Sequence, residues 1–211
     1  MPVKAVIFDF DGTVVDSMPF LETNAVKLMV QHYSISKHEA REKYIQTTGL
    51  PFLEQIGMLF PGHEANETVI GTFEQWKENG LLEQPLFPDT KTVFEYLKSK
   101  TYLICISSSS LKPAIEDYFR RFGYLELLDE IMGYRPDFQK GKDHFDHVKQ
   151  LFKLDKKEMV FIGDSLKDFE RAKGSGIRFI GRLGLFSQRD FTRAGHDGEV
   201  ISSLSELHKL L

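Results

Sequence analysis

The sequence predicts an α/β fold, a parallel sheet in a Rossmann-like core with an inserted α-helical subdomain. Three observations predict it: short continuous apolar runs recur along the chain, helix-period segments lie between them, and one interval after the first run reads as helix throughout. The runs are Val3 to Phe8, Tyr102 to Ile106, Met159 to Ile162 and Ile177 to Ile180, with Glu199 to Ile201 a weaker fifth. Continuous rather than alternating apolar character marks strands covered on both faces. Among the helical segments, Thr90 to Lys100 puts Val93, Phe94 and Leu97 on one face, and Pro113 to Phe122 does so with Ile115, Tyr118 and Phe119. His144 to Phe152 aligns Phe145, Val148, Leu151 and Phe152. From about residue 18 to 80 the reading is helical, with Phe20, Leu28, Phe73 and Trp76 as its expected core. Turn residues and prolines near 16–19 and 84–88 bound it, so residues 1–16 and 85–211 are expected to form the core domain and 17–84 the insert.

Composition narrows the function. Across 211 residues, 27 Lys+Arg face 31 Asp+Glu, a net charge of −4 that leaves no basic excess for a nucleic-acid backbone. With 41% hydrophobic residues and 18 Phe the chain buries a real core. Its apolar runs are far shorter than the roughly 18 residues of a membrane span. The single cysteine, Cys105, sits in an apolar run and suits a reducing compartment, so a cytoplasmic protein is expected. The sequence leaves monomer and homodimer both open.

Three strand ends carry polar groups: Asp9-Phe10-Asp11-Gly12-Thr13, Ser107-Ser108, and Gly163-Asp164-Ser165-Leu166-Lys167-Asp168. In an open α/β sheet the carboxyl ends of the strands form the ligand crevice, so these groups are expected to share one site. Four carboxylates converging unassisted would raise one another's pKa and destabilise the fold. A cation removes the conflict. Oxygen-only ligands, without His or Cys, favour a hard ion, and Mg²⁺ is the usual one at phosphate sites. Ser107 and a lysine could hold the remaining phosphate oxygens.

At these residues the chain resembles a known family. FDFDGTVVDS, the strand-end Ser107, a lysine before a helix and GDSLKD, in that order, are similar to the four motifs of the haloacid dehalogenase superfamily of phosphohydrolases. The insert matches that family's helical cap, and AKGSGIRFIGRLG with the closing ISSLSELHKLL resembles phosphoglycolate-phosphatase-like and β-phosphoglucomutase-like members. The resemblance implies Asp9 as nucleophile, Asp11 as general acid/base, and Mg²⁺ held by Asp9, Asp164 and the Asp11 carbonyl, with Asp168 in support. It implies phosphate binding by Ser107, with Ser108 beside it, and by Lys140 or Lys142. The family's lysine is usually followed by Pro, whereas QKGKDHF offers two lysines and no clean register, so both stay open.

Asp11 sets the reaction class. Dehalogenases of the superfamily lack this second aspartate, so its presence implies phosphate-ester chemistry. The expected activity is a Mg²⁺-dependent phosphatase acting on a small phosphorylated metabolite beneath a closing cap. The alternative is a phosphosugar mutase, which uses the same aspartate pair. A receiver-like or non-catalytic phosphate-binding module fits less well, because receivers phosphorylate a later strand and lack an insert. Within the cap, Thr47, Thr48 and Gly49 resemble the loop that reaches the leaving group, with a plain interhelical turn as the other reading. Arg41 and Lys43 read as solvated charges or as contacts for an anionic substrate tail. His144 and His147, spaced i, i+3 without further His or Cys, read as solvent-facing helix positions rather than metal ligands.

Overall fold

A computed structural model describes residues 2–211. The chain divides into two units, one of residues 16–85 and one of the segment up to Val15 together with Leu86–Leu211.

The larger unit is the α/β one. Its strands are β1 (Ala5–Phe8), β2 (Leu103–Ser107), β3 (Glu130–Met132), β4 (Met159–Gly163), β5 (Arg178–Arg182) and β6 (Val200–Ile201). They form one sheet in the order β3-β2-β1-β4-β5-β6, with every neighbouring pair parallel. β1 and β4 are buried along their whole length, as expected of strands covered on both faces. The sequence pattern missed β3, an edge strand of three residues whose first member is Glu130 and which is too short to show a period.

Among the described residues, six α-helices belong to this unit. In α5 (Thr90–Ser99) Val93, Phe94 and Leu97 are buried, and in α6 (Lys112–Phe122) Ile115, Tyr118 and Phe119 are, as the periodicity requires. α7 (Lys142–Phe152) begins two residues earlier than its apolar stripe suggested and buries His144, Phe145 and Val148, leaving Leu151 49% exposed. α8 (Leu166–Ser175), α9 (Gln188–Arg193) and the short α10 (Leu207–Leu210) complete the unit. To keep the numbering in chain order, α1 to α4 denote the helices of the other unit.

That unit consists of α1 (Met18–Tyr33), α2 (Lys37–Thr47), α3 (Phe52–Leu59) and α4 (Asn66–Leu81). Leu28 and Phe73 are buried in its core, while Phe20 and Trp76 pack against that core and remain partly exposed. Two stacked aromatic pairs, Phe52 on Phe73 at 3.7 Å and Tyr33 on Phe60 at 3.6 Å, tie α3 and its following turn to α4 and α1. Arg41 pairs with Glu22 at 2.6 Å and Lys43 with Glu39 at 3.8 Å, so both basic groups have partners within their own unit.

Candidate active site

The strand order reverses between β1 and β4, and the crevice beyond the carboxyl ends at such a switch is where open α/β sheets bind ligands. Phe8 pairs with Ile106 on one side and Ile162 on the other, so the next residues, Asp9, Ser107 and Gly163, stand level on three adjacent strand ends. Asp164 follows at once.

The turn after β1 is pinned from beneath. Phe10 is fully buried, with its ring edge-on to Tyr118 at 5.3 Å and to Phe119 at 5.6 Å. Gly12 takes φ +77°, a conformation costly for any residue with a Cβ, and donates its N–H to Val15 O at 2.8 Å. Asp9 Oδ1 accepts the Phe10 N–H at 2.6 Å, and Asp11 Oδ2 accepts from the Ser110 hydroxyl at 2.9 Å.

α8 brings in the second acidic pair. Ser165 caps it, accepting the Asp168 N–H at 3.1 Å and donating its hydroxyl to Asp168 Oδ2 at 2.7 Å. β4 has to end in glycine here, because a Cβ on Gly163 would lie 2.7 Å from Asp168 Cβ.

Lys140 joins the two sides. Its side chain is 3% exposed, and its ammonium lies 2.7 Å from Asp9 Oδ1 and 2.6 Å from Asp168 Oδ1. Lys142 does neither. It opens α7 with its side chain 80% exposed and pairs with Asp146 at 2.8 Å, because Gly141, at φ +110°, turns the chain between the two lysines. Of the two lysines the sequence left open, the one at the carboxylates is Lys140.

Asp9, Asp164 and Asp168 are buried, and each offers a carboxylate oxygen within 4.8 Å of the others. Burial pushes Asp9 up to about 7 against the pull of Lys140, and burial together with the Asp9 charge raises Asp164 as well. Burial would also raise Asp168, but Lys140 and Arg171 outweigh it and hold that carboxyl below its usual range. Asp164 Oδ2 is buried without a hydrogen-bond partner. Lys140 and Arg171 therefore face three carboxyls, one more than they offset, and the Asp164 oxygen is left unsatisfied beside the other two. An all-oxygen donor set with surplus negative charge fits a hard divalent cation such as Mg²⁺.

Ser107 and Ser108 are both buried. Ser107 Oγ lies 2.9 Å from His144 Nδ1, and Ser108 Oγ accepts the Ser110 N–H at 3.0 Å. The expectation that His144 faces solvent is overturned: it lies one helical turn before the buried Val148 and beside Phe145, on the inward face of α7, fully buried against Ser107. His147 lies partly exposed, 3.8 Å from Glu130. In the helical unit, Thr47 and Thr48 sit at the end of α2 with their hydroxyls directed inward. Thr47 bonds Lys43 O, Tyr44 O and Gln55 Oε1, and Thr48 donates to Tyr44 O at 2.9 Å. Gly49 forms the turn after them at φ +97°.

Two neighbours of the site escaped the sequence reading. Ser110, in the serine run, holds Asp11. Arg182, at the carboxyl end of β5, is buried over the Phe87 ring at 3.5 Å and donates to Gly12 O at 3.1 Å. A polar residue closing an apolar strand was the available signal for Arg182.

Residues 6–182 match the model of the haloacid dehalogenase-like hydrolases. The chain belongs to this family. It is 24% identical over 192 residues to a phosphoglycolate phosphatase of Haemophilus influenzae, covering 84% of each protein. It is also 24% identical over 216 residues to one of Yersinia pseudotuberculosis, covering 97% of this chain and 91% of that one. A crystal structure of a predicted phosphatase from Clostridium acetobutylicum superposes with a TM-score of 0.84 at 20% identity, over 100% of this chain and 98% of the other. The hydrolase is of the phosphatase type, and its fold is that of the family.

Proposed function

We infer that this hydrolase is a Mg²⁺-dependent phosphatase that cleaves a small phosphorylated metabolite through an aspartyl-phosphate on Asp9. The observation that carries the reading is the buried Lys140 ammonium between Asp9 and Asp168 with Asp164 beside them. A carboxylate already oriented by an ammonium and a backbone N–H suits nucleophilic attack, because its geometry is set before substrate arrives.

In this reading Asp9, Asp164 and the Asp11 carbonyl hold Mg²⁺, with Asp168 supporting them. When bound, the ion supplies positive charge to the phosphoryl oxygens. Asp9 attacks phosphorus as the ester oxygen departs, and Asp11 gives that oxygen its proton. Asp11 then takes a proton from water, which attacks the same phosphorus, releases inorganic phosphate and restores Asp9. Lys140 offsets charge on Asp9 and on the transferring group, and Ser107 bonds a phosphoryl oxygen. Ser110 holds the Asp11 carboxyl in one orientation through both proton transfers.

The phosphoglycolate phosphatases among the relatives support a small phosphorylated organic acid as substrate. Among the described residues no helix is long and apolar enough to cross a membrane. The buried lone Cys105 supports a reducing, cytoplasmic setting.

The test is phosphate release from p-nitrophenyl phosphate, followed by a panel of phosphorylated acids, sugars and nucleotides. Activity that requires Mg²⁺, stops with EDTA and is absent from folded Asp9→Asn supports the reading. Equal rates for wild type and Asp9→Asn overturn it.

A further inference from the structure

We propose that Arg171 is a positioning residue for Lys140: it shares the Asp168 carboxylate with the lysine and so leaves the ammonium directed at Asp9 and at an incoming phosphoryl group. This role rests on the phosphatase reading for what Lys140 meets during the reaction. Asp168 and Arg171 lie three residues apart on α8, a spacing that puts both side chains on one face of the helix. The guanidinium reaches to 3.6 Å from Asp168 Oδ1, the same oxygen that stands 2.6 Å from the Lys140 ammonium. The arginine side chain is 18% exposed and the carboxylate is fully buried, so salt and solvent screen the contact little.

The stem of Arg171 holds the other side of the lysine. Gly141, the residue after Lys140, takes φ +110° and ψ −124°, a conformation open to glycine. A Cβ there would stand 3.0 Å from Arg171 Cγ and 3.2 Å from Cδ, so the aliphatic stem lies on the turn that follows Lys140 while the charged head lies on the carboxylate. Asp168 Oδ2 is taken up by Ser165, accepting its hydroxyl at 2.7 Å and its N–H at 3.3 Å. With Oδ1 shared between two cations, Asp168 makes only a partial claim on the ammonium, which also lies 2.7 Å from Asp9 Oδ1. Without the guanidinium charge, three carboxyls would face one cation. Lys140 would be drawn towards Asp168, and the added negative charge would repel an anionic phosphate and attract a divalent cation more strongly. The two ligands of the site therefore respond to this charge with opposite signs, which a loss of packing would not produce.

Titration calorimetry on the full chain tests the proposal, with Mg²⁺ alone and with inorganic phosphate at saturating Mg²⁺. Arg171→Met keeps the stem over Gly141 and removes the charge. It should weaken phosphate binding about tenfold and tighten Mg²⁺ binding about tenfold, the scale of one unit charge acting across about 10 Å of protein. Arg171→Lys, which keeps stem and charge, should stay close to wild type for both ligands. The double variant Arg171→Met with Asp168→Asn should bind phosphate more tightly than Arg171→Met alone, because the competitor for Lys140 has lost its charge. Weakening of both ligands by Arg171→Met would mean that the arginine acts on packing alone, and no change in either would mean that its charge does not reach the site. No recovery in the double variant would mean that it does not act through Asp168. Each of these results overturns the proposal. If Arg171→Met does not fold, Arg171→Gln, which keeps a polar head without its charge, carries the same expectations. A wild type that binds both ligands and hydrolyses no phosphate ester fails the phosphatase reading, and the titrations still decide the role of Arg171.

Discussion

The ammonium of Lys140 lies 2.7 Å from the Asp9 carboxylate, with both groups buried, whereas Lys142, two residues on, extends into solvent. Substitution should separate the two lysines sharply. Lys140→Met should lower kcat by at least about 10²-fold, the scale of losing one preorganised electrostatic contact. It should also cost about 3–5 kcal/mol in urea unfolding, because it strands buried carboxylates. Lys142→Ala should leave both quantities within error of wild type, since its pair with Asp146 is exposed.

Crowding of Asp164 against Asp9 makes a prediction with opposite signs for stability and binding. Asp164→Asn removes a like charge from a buried cluster, so without metal the variant should melt at or above the wild-type temperature. Added Mg²⁺ should raise the wild-type melting temperature by mass action and leave the variant almost unmoved. A metal-free variant that melts well below wild type would contradict the electrostatic account.

Phe10 separates the two acidic residues of its turn and is anchored under Tyr118 and Phe119. Phe10→Ala should cost about 3–5 kcal/mol by the lost burial and the cavity left behind. Equilibrium unfolding in urea measures this, with an unchanged m-value showing that the denatured state is not the cause.

Acid should destabilise the fold through His144. Its folded pKa, about 3, lies below the 6.5 of the unfolded chain, so its contribution is complete above pH 6.5 and is lost as pH falls from there towards 3. The slope is at most about 1.4 kcal/mol per pH unit. Asp9, raised to about 7, pulls in the opposite direction over part of this range, so the useful quantity is the difference between wild type and His144→Phe. Between pH 6.5 and 5 wild type should lose stability relative to that variant. Parallel stability curves would show that the imidazole is not held neutral.

Gly163 sets how closely α8 approaches the end of β4. Gly163→Ala would drive a methyl to 2.7 Å from Asp168 Cβ and displace that carboxylate from Lys140. An overpacking cost of about 1–3 kcal/mol is expected in urea unfolding, together with a weaker response to Mg²⁺.

The α/β class and most strands and helices follow from local patterns, because a strand buried on both faces must be apolar throughout and a helix must repeat its apolar face every turn. Asp9, Asp11 and Asp164 were legible because each stands within three residues of the end of an apolar strand, and Asp168 because it lies in the first turn of the helix that follows. β3 was not, since three residues carry no period. The buried face of α7 was misread because it includes His144, one turn before Val148, and hydrophobic patterning counts histidine as polar.

By itself, then, the sequence determined the order of strands and helices and the placing of acidic residues at strand ends, both of which are written within a few consecutive residues. The tertiary structure decided which lysine reaches the carboxylates, that His144 meets Ser107 and that Arg182 holds the Gly12 turn. Those outcomes depend on pairs 37 to 170 residues apart in the chain, or, for the lysines, on one turn at Gly141. Only the assembled sheet and its helices bring such groups within hydrogen-bond reach, and the cost of leaving a buried charge unpaired selects the partners.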